Sequence, residues 1–144
     1  MVQRDAWTGL KTQLLNDSSL SAYVKKFKWS SREEVFTLEN FPLLIVYPIR
    51  TEDDIYRGVP KYKNVNLIIS VNAKVFIQDE NSMFSEILKF DEMVKNAIEK
   101  NIQLSSNCTI ANIGPSEFRL LDKEVVESQF TVIITTKRFT AGNR

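Results

Sequence analysis

A chain of 144 residues with 43% hydrophobic and 26% charged residues is long enough to form one globular domain with a sizeable core. The formal net charge of +1 supplies no overall field that would draw the protein to nucleic acid or to an anionic membrane. The sequence has one cysteine and no histidine, which excludes a disulfide within the chain and any Ser–His–Asp or Cys–His catalytic arrangement.

The N-terminal segment has the spacing of two consecutive helices. Apolar residues recur at helical intervals over 4–16, and the polar run 16–19 interrupts the pattern. Ser18 or Ser19 is placed to cap a second, shorter helix, and 28–35 shows no clean period, which is typical of a loop. The apolar positions of the two helices are Trp7, Leu10, Leu14, Leu15, Leu20, Tyr23, Val24 and Phe27.

Neither a signal peptide nor a membrane helix is expected. The first residues show no basic segment followed by an apolar run. The longest apolar run covers 43–47, far below the roughly 20 residues that a membrane helix needs. We therefore expect a reducing cytoplasm as the compartment.

A first strand is predicted over 36–47, where alternation gives way to a continuous apolar run. Pro42 cannot donate to a central ladder, so an edge position or a bulge is expected there, and Pro48 is expected to end regular pairing. The segment 49–64 is rich in charge and turn residues and predicts a long excursion between two strands.

The strand signal is clearest over 65–78. Apolar residues occupy every odd position from Val65 to Ile77, and polar residues occupy most even positions. A period of two predicts one buried face and one more solvent-exposed face, with the odd residues more buried than the polar even ones. Those polar residues are Asn66, Ser70, Asn72 and Lys74.

The strongest helical pattern covers 79–101. One apolar stripe predicts a helix that lies across the sheet, and Asp79, Asn81 or Ser82 is placed to cap its start. The stripe consists of Met83, Phe84, Ile87, Leu88, Val94 and Ile98.

Two further strands are predicted at 106–118, with a bend or bulge at Gly114-Pro115, and at 124–139. The whole order predicts a single α+β domain over 1–144. Its mainly antiparallel sheet of about four strands would carry an N-terminal helix and one long helix on one face.

Sequence motifs typical of catalytic, metal-binding or nucleic-acid-binding sites are weak in this chain. The acidic run 52–54 lacks the spacing of a calcium loop, and Cys108 lies in an apolar strand pattern that favours a buried core position. The segment 23–29 interleaves aromatic and basic residues, as nucleic-acid platforms do, but Tyr23 and Phe27 also fit a core-facing helix. We therefore predict no enzyme activity, no metal and no cofactor, although a carboxylate or lysine enzyme remains an alternative.

The layout resembles the tail terminator, or tail completion, proteins of long-tailed bacteriophages and prophages. The sequence WTGLKTQLLND at 7–17 runs into SSLSAYV at 18–24, and FPLLIVYP follows at 41–48. A long alternating strand, a sheet-covering helix and two closing strands come next. The resemblance covers nearly the whole chain. It rests on the order and length of the predicted elements and on their general residue pattern, without a specific sequence motif.

The resemblance implies a structural protein of the virion tail, assembled in the host cytoplasm. Such proteins form a homo-oligomeric ring, usually a hexamer, which caps the tail tube, ends its polymerisation and provides the joining surface to the head connector. The implied partners are further copies of the chain, the tube protein and the connector protein. DNA is implied only as passing cargo, and no membrane is involved. The alternative is a small bacterial ligand-binding or regulatory module.

The segment 49–64 is the candidate assembly surface. Its mixed charges and tyrosines suit a polar interface whose register is set by complementary pairs. Alternatively, its acidic residues face a lumen through which DNA slides, where like-charge repulsion prevents sticking. The candidate interface residues are Arg50, Glu52, Asp53, Asp54, Tyr56, Arg57, Lys61, Tyr62 and Lys63.

Overall fold

The computed structural model describes residues 2–53, 62–105, 108–121 and 124–139. The helices are α1 (Val2–Asn16), α2 (Ser18–Tyr23) and α3 (Glu80–Glu99), and a 3-10 turn covers Leu38–Asn40. The strands are β1 (Lys26–Lys28), β2 (Leu43–Asp53), β3 (Tyr62–Phe76), β4 (Gln103–Ser105), β5 (Cys108–Ile113), β6 (Glu117–Leu120) and β7 (Val125–Phe139).

The seven strands of the described residues form one mixed sheet, curled into a half-barrel. Its order is β1-β2-β3-β7-β5-β4, and β6 pairs with β7. The pair β1–β2 is parallel and the other pairs are antiparallel. The predicted mainly antiparallel sheet of about four strands is therefore wrong. Strands as short as β1 and β4, each of 3 residues, carry too few positions for a period to show in the sequence.

The bend at Gly114-Pro115 divides the predicted strand 106–118 into β5 and β6, which pair with successive parts of β7. The Gly114 N–H donates to the carbonyl of Thr131 at 2.8 Å. A Cβ at position 114 would lie only 3.0 Å from Thr131 Oγ1, so this close approach favours glycine. The bend therefore turns the chain while both halves stay on the same partner strand.

Strand β2 begins and ends later than predicted. Residues 36–42 precede it, and Pro42 lies just before its first residue, so the predicted strand over 36–47 is wrong at its start. Pairing also continues past Pro48, because a register shift between Pro48 and Arg50 accommodates the residue that cannot donate an N–H. The first five residues of the predicted excursion, 49–53, are consequently strand.

The predicted buried face of β3 is confirmed. Its odd residues from Val65 to Val75 are buried, and Ile77 lies just beyond the strand. The predicted contrast with the even positions is wrong for two residues, since Ser70 is 1% and Asn72 5% exposed. This second face is partly covered as well, and Asn72 Nδ2 donates to Ser70 Oγ at 3.0 Å.

Helix α3 confirms the predicted long helix, and Asp79 caps it by accepting from the Asn81 N–H. Met83, Ile87, Val94 and Ile98 are buried as predicted, together with Phe90 and Ala97. Phe84 and Leu88 are 51% and 52% exposed, so their assignment to the core is wrong. The buried face is rotated away from these two residues.

The two N-terminal helices pack on the same face of the sheet as α3, and one apolar cluster joins all three to the strands. Asp17, rather than a serine, caps α2. Burial alone would raise the pKa of Asp17, but hydrogen bonds from Lys100 and from the Leu20 N–H outweigh it and hold that pKa below its usual value. The Lys100 Nζ lies 2.6 Å from Asp17 Oδ2 and so ties α2 to the end of α3.

Candidate functional site

Both ends of the predicted assembly segment 49–64 lie in paired strands, 49–53 in β2 and 62–64 in β3. Arg50, Glu52 and Asp53 lie in β2, and Tyr62 and Lys63 lie in β3. The predicted long excursion is wrong to this extent. The other candidate residues, Asp54, Tyr56, Arg57 and Lys61, lie outside the described residues.

The outer half of β2 differs sharply from its inner half. Leu43 to Val46 are buried, whereas the residues from Pro48 to Asp53 are exposed. Arg50 Nε lies 2.9 Å from Glu52 Oε1, so two of the candidate interface charges contact each other within one chain. An exposed pair of this kind stabilises a protein by only about 0–1 kcal/mol, which leaves both groups available to a partner.

A cleft of about 700 Å³ lies against the sheet face opposite the helices. Its upper wall comes from the strap, which we define as residues 29–41. The strand register places two rows of polar side chains on this face of the sheet, and six of these eight residues line the cleft. One row contains Lys28, Asn72, Gln129 and Glu117, and the next contains Lys26, Lys74, Glu127 and Arg119.

Charge contacts hold the strap above the sheet. Lys26 pairs with Glu34, and Lys28 Nζ lies 3.9 Å from the same carboxylate. The hydrogen bond from Lys26 lowers the pKa of Glu34 below its usual value. Both ammonium groups also lie over the ring of Phe36, at 5.4 and 5.2 Å from its centroid. The strap is therefore attached to β1 through two lysines.

The cleft has one more cation than carboxylate, since its charged lining residues are Lys28, Arg32, Lys74 and Arg119 against Glu33, Glu34 and Glu127. Buried Glu127 is matched by Arg119, whose Nε lies 3.1 Å from Glu127 Oε2. Within the described part of the chain, no side chain pairs with Lys74 or with the guanidinium of Arg32, and both residues line the cleft. Such an arrangement favours an anionic ligand over a cationic one.

Strand β6 forms a second exposed feature. Phe118 and Leu120 pair with Ser128 and Val126, so their side chains point to the helix side of the sheet. They are 37% and 53% exposed.

Two contacts fix where α3 lies beside this strand. Lys95 Nζ lies 5.0 Å from the Phe130 ring centroid, and the Ser128 hydroxyl donates to Asp91 Oδ1 at 2.6 Å. Leu88 and Phe84 lie about one and two turns before Asp91 on the same side of α3, and Asp91 on that side accepts a hydrogen bond from Ser116, the residue before β6. We call Phe84, Leu88, Phe118 and Leu120 the apolar edge. The sequence pattern alone placed two of these residues in the core.

Other kinds of site find little support. Across the ranges that the structure describes, no group of three potential ligand side chains could hold a metal ion. None of the described helices combines the length and apolarity needed to cross a bilayer. No protein-family model matches the sequence, and no curated protein matches it at a significant level.

Proposed function

We propose that the chain is a structural assembly protein of the tail-terminator type. Copies of it form a ring, which the resemblance implies is a hexamer, and this ring caps a phage tail tube, ends its polymerisation and offers a surface to the head connector. The proposal involves no catalysis, and DNA only passes through the ring. The observation that carries it is the exposed outer half of β2, from Pro48 to Asp53.

The chemistry of the β2–β3 hairpin suits a specific polar interface. Strand β1 pairs only with the stretch 43–45, so the outer edge of β2 has no strand partner beyond that point among the described residues. Pro48 and the charges at Arg50 and Glu52 oppose indiscriminate pairing with other sheets. Complementary charges on a neighbouring subunit or on the tube can still recognise such an edge.

Reversal of the hairpin's acidic charges tests this proposal. We expect the variant with Glu52, Asp53 and Asp54 all changed to lysine to melt within a few degrees of the wild type, because Glu52 and Asp53 are exposed and a substitution at an exposed position usually changes stability by less than about 0.5 kcal/mol. Ring or tail assembly, measured by sedimentation and electron microscopy, should be impaired.

A matched control reverses three exposed acids elsewhere, Glu39, Glu92 and Glu99, and changes the net charge by the same amount. This control should assemble normally. Normal assembly of the hairpin variant would contradict the hypothesis that these acids form an assembly surface.

A second candidate function is the binding of a small organic anion in the strap cleft. The unpaired cations Lys74 and Arg32 favour it, and Tyr47 and Phe36 offer apolar contact to the body of such a ligand. This reading corresponds to a ligand-binding or regulatory module.

Titration calorimetry with benzoate tests the cleft. Lys74→Met should weaken binding several-fold, because it removes a positive charge that lines the cleft and forms no ion pair within 4 Å among the described residues. Lys25→Met, at an exposed lysine that does not line the cleft, should leave binding unchanged. Equal affinities for the two variants, or no binding by the wild type, would exclude this function.

A further inference from the structure

We infer that the β6 edge of one copy docks on the β1 edge of a second copy, so that the sheet continues from subunit to subunit. This inference rests on the proposed ring and names the surfaces that would close it. It follows from the backbone groups, side chains and charges that the two edges present.

The backbone of β6 has one paired side and one open side. The Leu121 N–H donates to the carbonyl of Val125 at 2.8 Å, which directs residue 121 toward β7. Because successive residues of a strand direct their N–H and C=O groups to opposite sides, Phe118 and Leu120 direct theirs away from β7. No strand of the described residues pairs with that side.

The backbone of β1 is open in the same way. The Lys25 N–H donates to the Pro42 carbonyl at 2.9 Å, so residue 25 faces β2. By the same alternation, Lys26 and Lys28 direct their N–H and C=O groups to the outer side. Strand β1 ends the sheet order, and no described strand covers it. The two open edges are of similar length, 3 residues in β1 and 4 in β6.

The side chains of the two edges match on both faces of the sheet. On the helix side, β6 presents Phe118 and Leu120. On the same side, β1 presents Phe27, whose ring stacks on Trp29 at a centroid distance of 5.7 Å. Phe27 in β1 and Trp29 just beyond it are both partly buried against the core, so part of their apolar surface stays accessible. Docking would therefore bring apolar surface against apolar surface.

On the cleft side, charge favours the same arrangement. Strand β6 carries Glu117 beside Arg119, and Arg119 is already matched by Glu127. Strand β1 carries Lys26 and Lys28 on this side. Both lysines already contact Glu34 within the chain, and Lys26 stays 35% exposed, so Glu117 of one copy would add a second carboxylate beside Lys26 of the next. A contact between two different edges is heterologous, and a heterologous contact can repeat around a closed ring.

Two edge variants test this inference by complementation. The β6-edge variant combines Phe118→Lys with Leu120→Lys, which places charge on the exposed apolar side chains. The β1-edge variant is Lys26→Pro, which removes an outward N–H and leaves the groups that face β2. Its control, Lys26→Ala, loses the side chain but keeps that N–H.

Each edge variant alone should be monomeric in light scattering, because each lacks one of the two edges that a contact needs. Their mixture should form a one-to-one dimer and nothing larger, since only one intact edge of each kind remains. Lys26→Ala should still form rings. A ring formed by either edge variant alone, or a mixture that stays monomeric while the wild type forms rings, would overturn the inference.

The failure of this inference can be separated from the failure of the proposed function. A wild type that forms no ring contradicts the function, whereas a wild-type ring that survives both edge substitutions contradicts only the edges. If Lys26→Pro does not melt cooperatively, a cross-link replaces it. Copies carrying Leu120→Cys should form disulfides with copies carrying Lys25→Cys in preference to their own kind, and a lack of preference would count against the docking.

Discussion

Replacing Val71 with aspartate is expected to unfold the domain at room temperature. Val71 is fully buried in the middle of β3, paired with Val46 on one side and Phe130 on the other. All three side chains belong to the apolar cluster beneath the helices. A carboxylate there would have no apparent counter-charge in that cluster, and a loss of more than about 4 kcal/mol would remove most of the stability of an ordinary domain.

Circular dichroism during urea and thermal unfolding measures this effect. Val71→Ala is the graded control, since it removes two methyl groups without adding charge and should cost roughly 2 kcal/mol while the protein stays folded. A soluble Val71→Asp protein that melts cooperatively would show that the register of β3 is wrong.

Removing the carboxylate of Asp91 is expected to have the second largest effect. This buried side chain accepts hydrogen bonds from Ser116 at 2.7 Å and from Ser128 at 2.6 Å, and it lies 3.4 Å from Lys95 Nζ. It therefore joins α3 to β7 and to the residue before β6. Asp91→Ala leaves two hydroxyls without their acceptor and should cost about 2–4 kcal/mol.

Hydrogen exchange can show which part of the Asp91→Ala protein is destabilised, in addition to how much stability is lost. Hydrogen exchange should increase in β6 more than in β3, because β6 has only β7 and the Asp91 contacts to hold it within the described structure. Asp91→Asn keeps an acceptor oxygen and should recover part of the stability. An Asp91→Ala protein that unfolds at the wild-type urea concentration would refute this role for the carboxylate.

The elements with long, strong periodicity were predicted well. Strand β3 and helix α3 each span many residues with one apolar face, so the local sequence alone indicates their type and most of their buried positions. The short strands were missed for the opposite reason. Strand β1 has 3 residues within a lysine-rich segment, and its existence depends on pairing with Leu43 to Ile45, far along the chain.

The candidate sites were harder to predict because each depends on contacts between distant segments. The apolar edge exists because α3 turns Phe84 and Leu88 toward β6 and away from the core. The cleft exists because the strap folds over Asn72 and Lys74, whose alternation in the sequence indicated only a more solvent-exposed face. The outer hairpin exists because β2 continues through Pro48 by a register shift.

By itself, the sequence determined the chemistry that this protein lacks and the elements that have a regular period. A chain without histidine and with one cysteine cannot build a Ser–His–Asp or Cys–His arrangement or an internal disulfide in any fold, because composition is independent of conformation. Only the tertiary structure decided which strand edges stay open, which polar residues are covered and where the exposed apolar side chains gather. Those properties are set by which segments become neighbours, and a local pattern carries no information about a neighbour that is remote in the chain.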